Sequence, residues 1–173
     1  MQEDHPYAKV AREAVTAFLK EGKRLKKPDN CDPAFLLKRA CFASIHTKKG
    51  DLRGCIGTIE PQFDNLFNEI VQNAISAATR DPRFAAVKAK ELDSIYFTVD
   101  VLSVPEVTTP NDLDPKRFGL IITDGYRKGV LLPNLEAVDT AQQQIDIVKR
   151  KAGIAMQANE KLTFLRFTST RYA

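Results

Sequence analysis

Apolar positions along this chain change period several times, and each change marks an element. Tyr7, Val10, Ala14, Val15 and Phe18 keep helical spacing, with Asp4 and Pro6 as start signals and Gly22 as the stop. They predict an N-terminal amphipathic helix. Residues 23–33 show no periodicity and read as a connecting loop. Ala40 to Thr47 and Leu52 to Ile59 are strand-like runs around the Gly-containing turn Lys48 to Asp51, which predicts a hairpin. Asp64 is placed to cap a helix whose stripe is Leu66, Phe67, Ile70, Val71, Ala74, Ile75 and Ala78, and Pro82 ends that helix near Arg80. Ile95, Phe97, Val99 and Val101 then alternate, as in a strand with one buried face.

The second half repeats this order. Phe118 to Thr123 and Gly129 to Leu132 predict a hairpin around Asp124 and Gly125. Val138, Ala141, Ile145, Val148 and Ala152 follow at helical spacing, with Lys149, Arg150 and Lys151 in the last turn and Gly153 as the stop. Leu162 to Thr168 reads as the final strand. Short hairpin turns force antiparallel neighbours, so a doubly wound parallel sheet is disfavoured and the fold class is α+β. We expect one domain over residues 1–173, made of two antiparallel hairpin-helix-strand halves at 34–104 and 116–173. The stretch 105–115, with three prolines and no period, is the expected link. Repetition of the order points to a structural duplication. The residues of the halves match poorly, which leaves two unrelated pieces as the alternative.

Composition narrows the class without naming a function. At 173 residues the chain can bury roughly two thirds of its unfolded surface. Its 43% hydrophobic and 28% charged residues are the balance of a soluble folded domain. No apolar run approaches the ~20 residues of a membrane span, and the first 20 residues lack a signal peptide's apolar core, so a cytoplasmic location and no membrane partner are expected. Cys31, Cys41 and Cys55 lack C-x-x-C spacing, which points away from a disulfide framework or a zinc site. No metal or cofactor is evident. The basic run from Lys20 to Lys27 has no interleaved aromatic residue and reads as a solvated helix end, so no nucleic-acid partner is expected.

The chemistry concentrates in Leu52 to Gly57, LRGCIG. On a strand, residues i and i+2 share a face, which places Arg53 beside Cys55, and a guanidinium next to a thiol favours the thiolate. Gly54 and Gly57 indicate close approach by a ligand or another backbone. With a four-residue turn, His46 opposes Arg53 and Ser44 opposes Cys55. Phe42, Ser44, His46, Arg53 and Cys55 then share a face unless a bulge intervenes. Cys55 and His46 are the candidate nucleophile and base. The competing readings are a small buried apolar Cys55 and a solvated His46 at a strand end. Arg80, Asp81 and Arg83, around a Pro turn at a helix end, are suited to binding a carboxylate or phosphate, or alternatively to capping that helix and pairing locally. Tyr126, Arg127 and Lys128 read as exposed loop residues.

Four ordered segments carry a resemblance: LRGCIGTI at 52–59, AISAATRDPRF at 74–84, ELDSIYFTVDVLS at 91–103 and GLIITDGYRKGVLLP at 119–133. Together they resemble the AMMECR family, whose bacterial and archaeal members are also called AmmeMemoRadiSam system protein A. The resemblance implies an α+β fold with two subdomains and a cleft near LRGCIG. It also implies Memo-like and radical SAM proteins as partners. Its signature residues here are Arg53, Gly54 and Cys55, then Arg80, Asp81, Arg83 and Phe84. The chain departs from relatives after Leu132, where Pro133 is followed by Asn134, Leu135 and Glu136, and it has no Trp.

Two functional readings follow. In the first, a cleft around Cys55 and Arg53 binds or processes a small anionic substrate, with Gly54, Arg80, Asp81 and Arg83 in contact with it. In the second, the protein is a non-catalytic interaction or assembly module and LRGCIG is a tightly packed strand. Redox sensing by Cys55 is a third reading, which requires an exposed thiol.

Overall fold

The computed structural model describes residues 4–173. The chain forms two compact units. One runs to Val101 and takes back Thr170–Ala173, and the other is Leu102–Ser169.

The first unit opens with helix α1, Pro6–Glu21. Its cap is His5 rather than Asp4, because Pro6 occupies the first helical position and the cap is the residue before it. The His5 Nδ1 accepts from the Tyr7 amide at 3.2 Å, while Asp4 pairs with Arg12 at 3.5 Å. Gly22, at φ 66°, closes the helix as expected. Helix α2, Leu66–Thr79, is capped by Asn65, whose Oδ1 accepts from the Asn68 amide at 2.9 Å. Asp64 lies one residue too early to cap and pairs with Lys38 instead.

Four strands form the sheet of this unit in the order β2-β1-β3-β8, with β1 at Cys41–Thr47, β2 at Leu52–Gly57, β3 at Ile95–Leu102 and β8 at Ser169–Tyr172. Alternation along the strands sends Ala43, Ile45, Phe97 and Val99 into a core with Ile70, Val71 and Ala74 of α2 and Ala11 and Ala14 of α1. The opposite face is polar, yet Ser44 and Thr98 on it are each only 4% exposed.

In the second unit the sheet order is β4-β7-β5-β6, with β4 at Glu106–Thr108, β5 at Gly119–Thr123, β6 at Lys128–Leu131 and β7 at Thr163–Phe167. Helix α3, Ala141–Ala152, packs on β5 and β6 through Ile145 and Val148 against Leu120, Ile122 and Phe164. A Thr140–Gln143 capping box starts it, and Gly153 at φ 68° stops it. Residues 105–115 lie inside this unit and carry β4 and a single 3-10 turn at Pro110–Asp112.

The fold is α+β, with the hairpin-helix-strand plan in both units. In each, the third strand pairs antiparallel with the first strand of the hairpin, β3 with β1 and β7 with β5. Strand β8 was not legible from periodicity, since Ser169–Tyr172 holds one aromatic residue among polar ones. Among the described residues, no helix is long and apolar enough to cross a membrane.

Candidate functional site

The first hairpin closes more tightly than a four-residue turn. The Thr47 amide donates to the Asp51 carbonyl at 2.8 Å and the Gly50 amide to the Thr47 carbonyl at 2.9 Å, with Gly50 at φ 95°. The loop is therefore Lys48, Lys49 and Gly50, the three-residue type whose last position is left-handed and favours glycine. The register near the turn pairs His46 with Leu52, whereas farther along Ile45 pairs with Gly54 and Ser44 with Cys55. Arg53 is the extra residue, a β-bulge that takes up the one-residue difference. The expected pairing of His46 with Arg53 is thus corrected, while that of Ser44 with Cys55 stands.

A bulge re-aims its side chain, and Arg53 shows where. Its Nε and Nη2 donate to the Glu91 carboxylate at 3.1 and 3.3 Å, and Nη1 donates to the Ala85 carbonyl at 2.8 Å. The Glu91 pKa is lowered, first by the Lys88 backbone amide and then by Arg53. These bonds tie β2 to the segment after α2, and none reaches Cys55.

Gly54 faces α2. A Cβ there would lie 2.4 Å from the Ala77 carbonyl oxygen, so the glycine admits the backbone of the helix. At Gly57 a Cβ would meet the Phe42 ring at 2.2 Å.

Cys55 is held from two sides. Its sulfur accepts from the Ser44 hydroxyl at 3.2 Å, and its backbone amide donates to Asp81 Oδ2 at 2.9 Å. Asp81 is 4% exposed and sits directly after α2, where the chain turns at Pro82. The same carboxylate accepts from the Arg83 amide at 3.1 Å and from Arg83 Nε and Nη2 at 3.0 and 2.8 Å. The Arg83 guanidinium foremost, then the Cys55 and Arg83 amides, hold the Asp81 carboxyl well below the usual carboxylate range. Arg83 is raised in turn, chiefly by its hydrogen bond to Asp81, with charge at Cys55 contributing.

The polar row continues across the sheet. Thr98 opposes Ser44 on β3, and its hydroxyl lies 3.3 Å from His46 Nε2. His46 also stacks on Tyr96, with ring centroids 5.0 Å apart. Burial pushes the His46 pKa down, and the positive charge of Arg171 adds to this. Arg171 comes from β8 and is bidentate to Asp100, Nε to Oδ1 at 2.9 Å and Nη2 to Oδ2 at 3.1 Å. Its pKa is raised first by Asp100, with smaller contributions from charge at Cys55 and Tyr96.

The structure therefore gathers Cys55, Ser44, Asp81 and Arg83 by direct hydrogen bonds and sets His46, Thr98, Asp100 and Arg171 along the same sheet face. His46 and Cys55 share no hydrogen bond: their hydroxyl partners are Thr98 and Ser44. Arg80 caps the C-terminus of α2 through its backbone amide and is exposed. Sequence reading missed Thr98, Asp100 and Arg171 as members of this face. The alternation of β3 marked Thr98 and Asp100 as sharing its non-core side, but nothing local marked Arg171, which arrives on a strand that periodicity does not reveal.

Arg83 and Arg171 each engage a carboxylate through Nε and Nη2, which leaves Nη1 of each without a hydrogen bond among the described residues. A half-buried thiol with a hydroxyl donor and two such guanidinium edges suits an anionic ligand. Among the described residues, no group of three or more His, Cys, Asp or Glu side chains is arranged to hold a metal ion.

Comparison with known proteins finds relatives of the chain as a whole. A protein of Clostridium acetobutylicum is 47% identical over 173 residues, covering 99% of this chain and 36% of that protein, so the chain spans about a third of its length. A protein of Thermotoga maritima is 45% identical over 172 residues, covering 98% of each chain. The crystal structure of an uncharacterized protein from Pyrococcus horikoshii superposes with a TM-score of 0.81 at 29% identity, covering 95% of this chain and 88% of that one. The AMMECR1 family model matches residues 8–172, and the chain belongs to the AMMECR1 family.

Proposed function

We propose that the Cys55 face binds a small anionic molecule and that the Cys55 sulfur is its reactive group, in a protein that works alongside Memo-like and radical SAM partners. The observation that carries this reading is the Ser44 hydroxyl donating to Cys55 Sγ at 3.2 Å, in a setting where Arg83 shares Asp81 with the Cys55 amide and Arg171 lies along the same sheet face. A hydroxyl donor at the sulfur and guanidinium groups on the same face suit an anion held against the thiol. Asp81 fixes the cysteine backbone and one of the arginines together, so the sulfur and the cation keep a set relation. Arg53 supports the strand from behind through Glu91.

The test compares an anionic with a neutral alkylating reagent, iodoacetate with iodoacetamide, and maps the modified residue by mass spectrometry. Cys55 is expected to react ahead of Cys41, whose thiol burial pushes up to about 12, and mass spectrometry separates it from the partly exposed Cys31. The iodoacetate-to-iodoacetamide rate ratio at Cys55 is expected to fall in Arg171→Gln and Arg83→Gln. An unreactive Cys55 in the folded protein, or a ratio unchanged in both variants, defeats the proposal.

A second reading is favoured by the longer clostridial relative, in which a region similar to this chain is a minor part: an interaction module. On that reading Cys55→Ala keeps full function in cells, whereas the chemical reading requires its loss.

A further inference from the structure

The second unit carries a surface that the Cys55 chemistry does not use. Tyr126 and Met156 are each 98% exposed, the two most exposed of the large hydrophobic side chains among the described residues. Single exposed apolar residues are ordinary on protein surfaces. These two differ because one carboxylate ties their loops together. Asp124 Oδ1 accepts from the Tyr126 and Arg127 amides at 3.0 and 2.7 Å, which fixes the β5–β6 turn. Its Oδ2 accepts from Arg127 Nη2 at 2.8 Å and from Gln157 Nε2 at 3.0 Å, and Gln157 is the residue after Met156. Arg127 Nη1 also donates to the Gly153 carbonyl at 2.6 Å. Thus Tyr126 and Met156 stand on a braced platform rather than on independent loops.

Bracing matters because presenting anchors from a rigid base reduces the ordering cost of association. Tyrosine and methionine are enriched at protein interfaces, and Met adapts to irregular apolar partners. The surroundings are basic: Lys149, Arg150 and Lys151 form the last turn of α3. A depression of about 310 Å³ beside Met156 is lined by Asp146, Lys149, Arg150 and Ala155. Asp124 is paired with Arg127, and Asp146, which accepts from Gln142 at 2.8 Å, is outnumbered by the three cations of the α3 end. Sites for single-stranded nucleic acid line up several aromatic rings for successive bases, and this surface offers one.

We propose that this platform docks an acidic segment of a partner protein, with Tyr126 and Met156 as apolar anchors and the α3 cations matching its charge. The inference is independent of the Cys55 reading, since no residue is shared.

The experiment measures binding, by fluorescence anisotropy, of a labelled amphipathic peptide of glutamate, leucine and phenylalanine. Controls are its lysine-for-glutamate twin, a single-stranded oligonucleotide and anionic lipid vesicles. The acidic peptide is expected to bind and the basic twin to fail. Affinity should drop by about tenfold in Tyr126→Ser/Met156→Ser, as for loss of interface anchors. A comparable drop is expected in Arg150→Gln/Lys151→Gln, a charge test on a different element, with unchanged thermal midpoints in both. The proposal is overturned if the acidic peptide does not bind, if neither double variant weakens it, or if the oligonucleotide or the vesicles show the Tyr126-dependent binding instead.

Discussion

The two hairpins share a plan and differ in how they close. In the first, Gly54 pairs with Ile45 and lies under the Ala77 carbonyl of α2. In the second, Gly129 pairs with Ile122 and lies under the Val148 carbonyl of α3. A Cβ would stand 2.4 Å from the first carbonyl oxygen and 2.3 Å from the second. This recurring glycine, beside an isoleucine and beneath a helix backbone, is the clearest mark of common design. Yet β5 and β6 keep one register from Leu120 to Thr123, whereas β1 and β2 slip at Arg53. A repeated hairpin-helix plan can thus hold its packing constant while a single bulge redirects an arginine and leaves the neighbouring thiol to other partners.

The largest expected effect tests the shared part. Gly54→Ala and Gly129→Ala should each cost about 3 kcal/mol, the upper range for overpacking, because a helix carbonyl cannot rotate away as a side chain can. Thermal or urea denaturation measures this, and a loss confined to one position would break the equivalence of the halves.

The next effect separates the two carboxylate clamps. Asp81→Asn should cost about 2 kcal/mol, since it weakens buried charge-assisted bonds to Arg83 and the Cys55 amide. Asp124→Asn, in a surface turn, should cost less. The sign with pH follows from the lowered Asp81 pKa. The unfolded chain takes up the proton first, near pH ~4, so the stability from this clamp is full above that pH and shrinks as pH falls toward the folded value. The gap between wild type and Asp81→Asn should therefore narrow below about pH 4.

Arg53→Met should cost about 1 kcal/mol, as expected for a partly exposed ion pair. It should change the Cys55 alkylation ratio less than Arg171→Gln does. The reverse ranking would undo the bulge as the explanation of where Arg53 acts.

The smallest effect belongs to His46. Its pKa is lowered in the folded state, so the unfolded chain binds the proton first as pH falls through about 6.5. The stability it contributes is present above that pH and is lost as pH falls. His46→Asn should flatten this slope by less than about 1 kcal/mol in a pH series of unfolding curves.

Much of the fold was legible because burial writes its period into the sequence. Helices α1, α2 and α3 and strands β1, β3 and β5 announced themselves through apolar spacing, and Gly22 and Gly153 through their stops. What escaped lay where local pattern and tertiary need part company. The turn at Lys48 to Asp51 looks the same in sequence whether three or four residues close it, and only the hydrogen bond from Thr47 to Asp51 decides which. Strand β8 is polar because its neighbour Asp100 recruits Arg171, and no apolar alternation marks it. At the site, Cys55, Asp81 and Arg83 were readable as candidates from their residue types. That one carboxylate ties the other two together depends on the end of α2 meeting β2, a contact between segments distant in sequence.

Strand β8 has a consequence for the order of events during synthesis. The second unit is threaded between β3 and β8, so the ribosome must complete it before the strand bearing Arg171 emerges. A nascent chain can already pair β1 with β2 and bring Ser44 to Cys55, but it lacks Arg171, the partner of Asp100 on that sheet face. The thiol face is therefore completed last, and a chain ending before Thr170 would carry its cysteine on a face where Asp100 has no arginine partner.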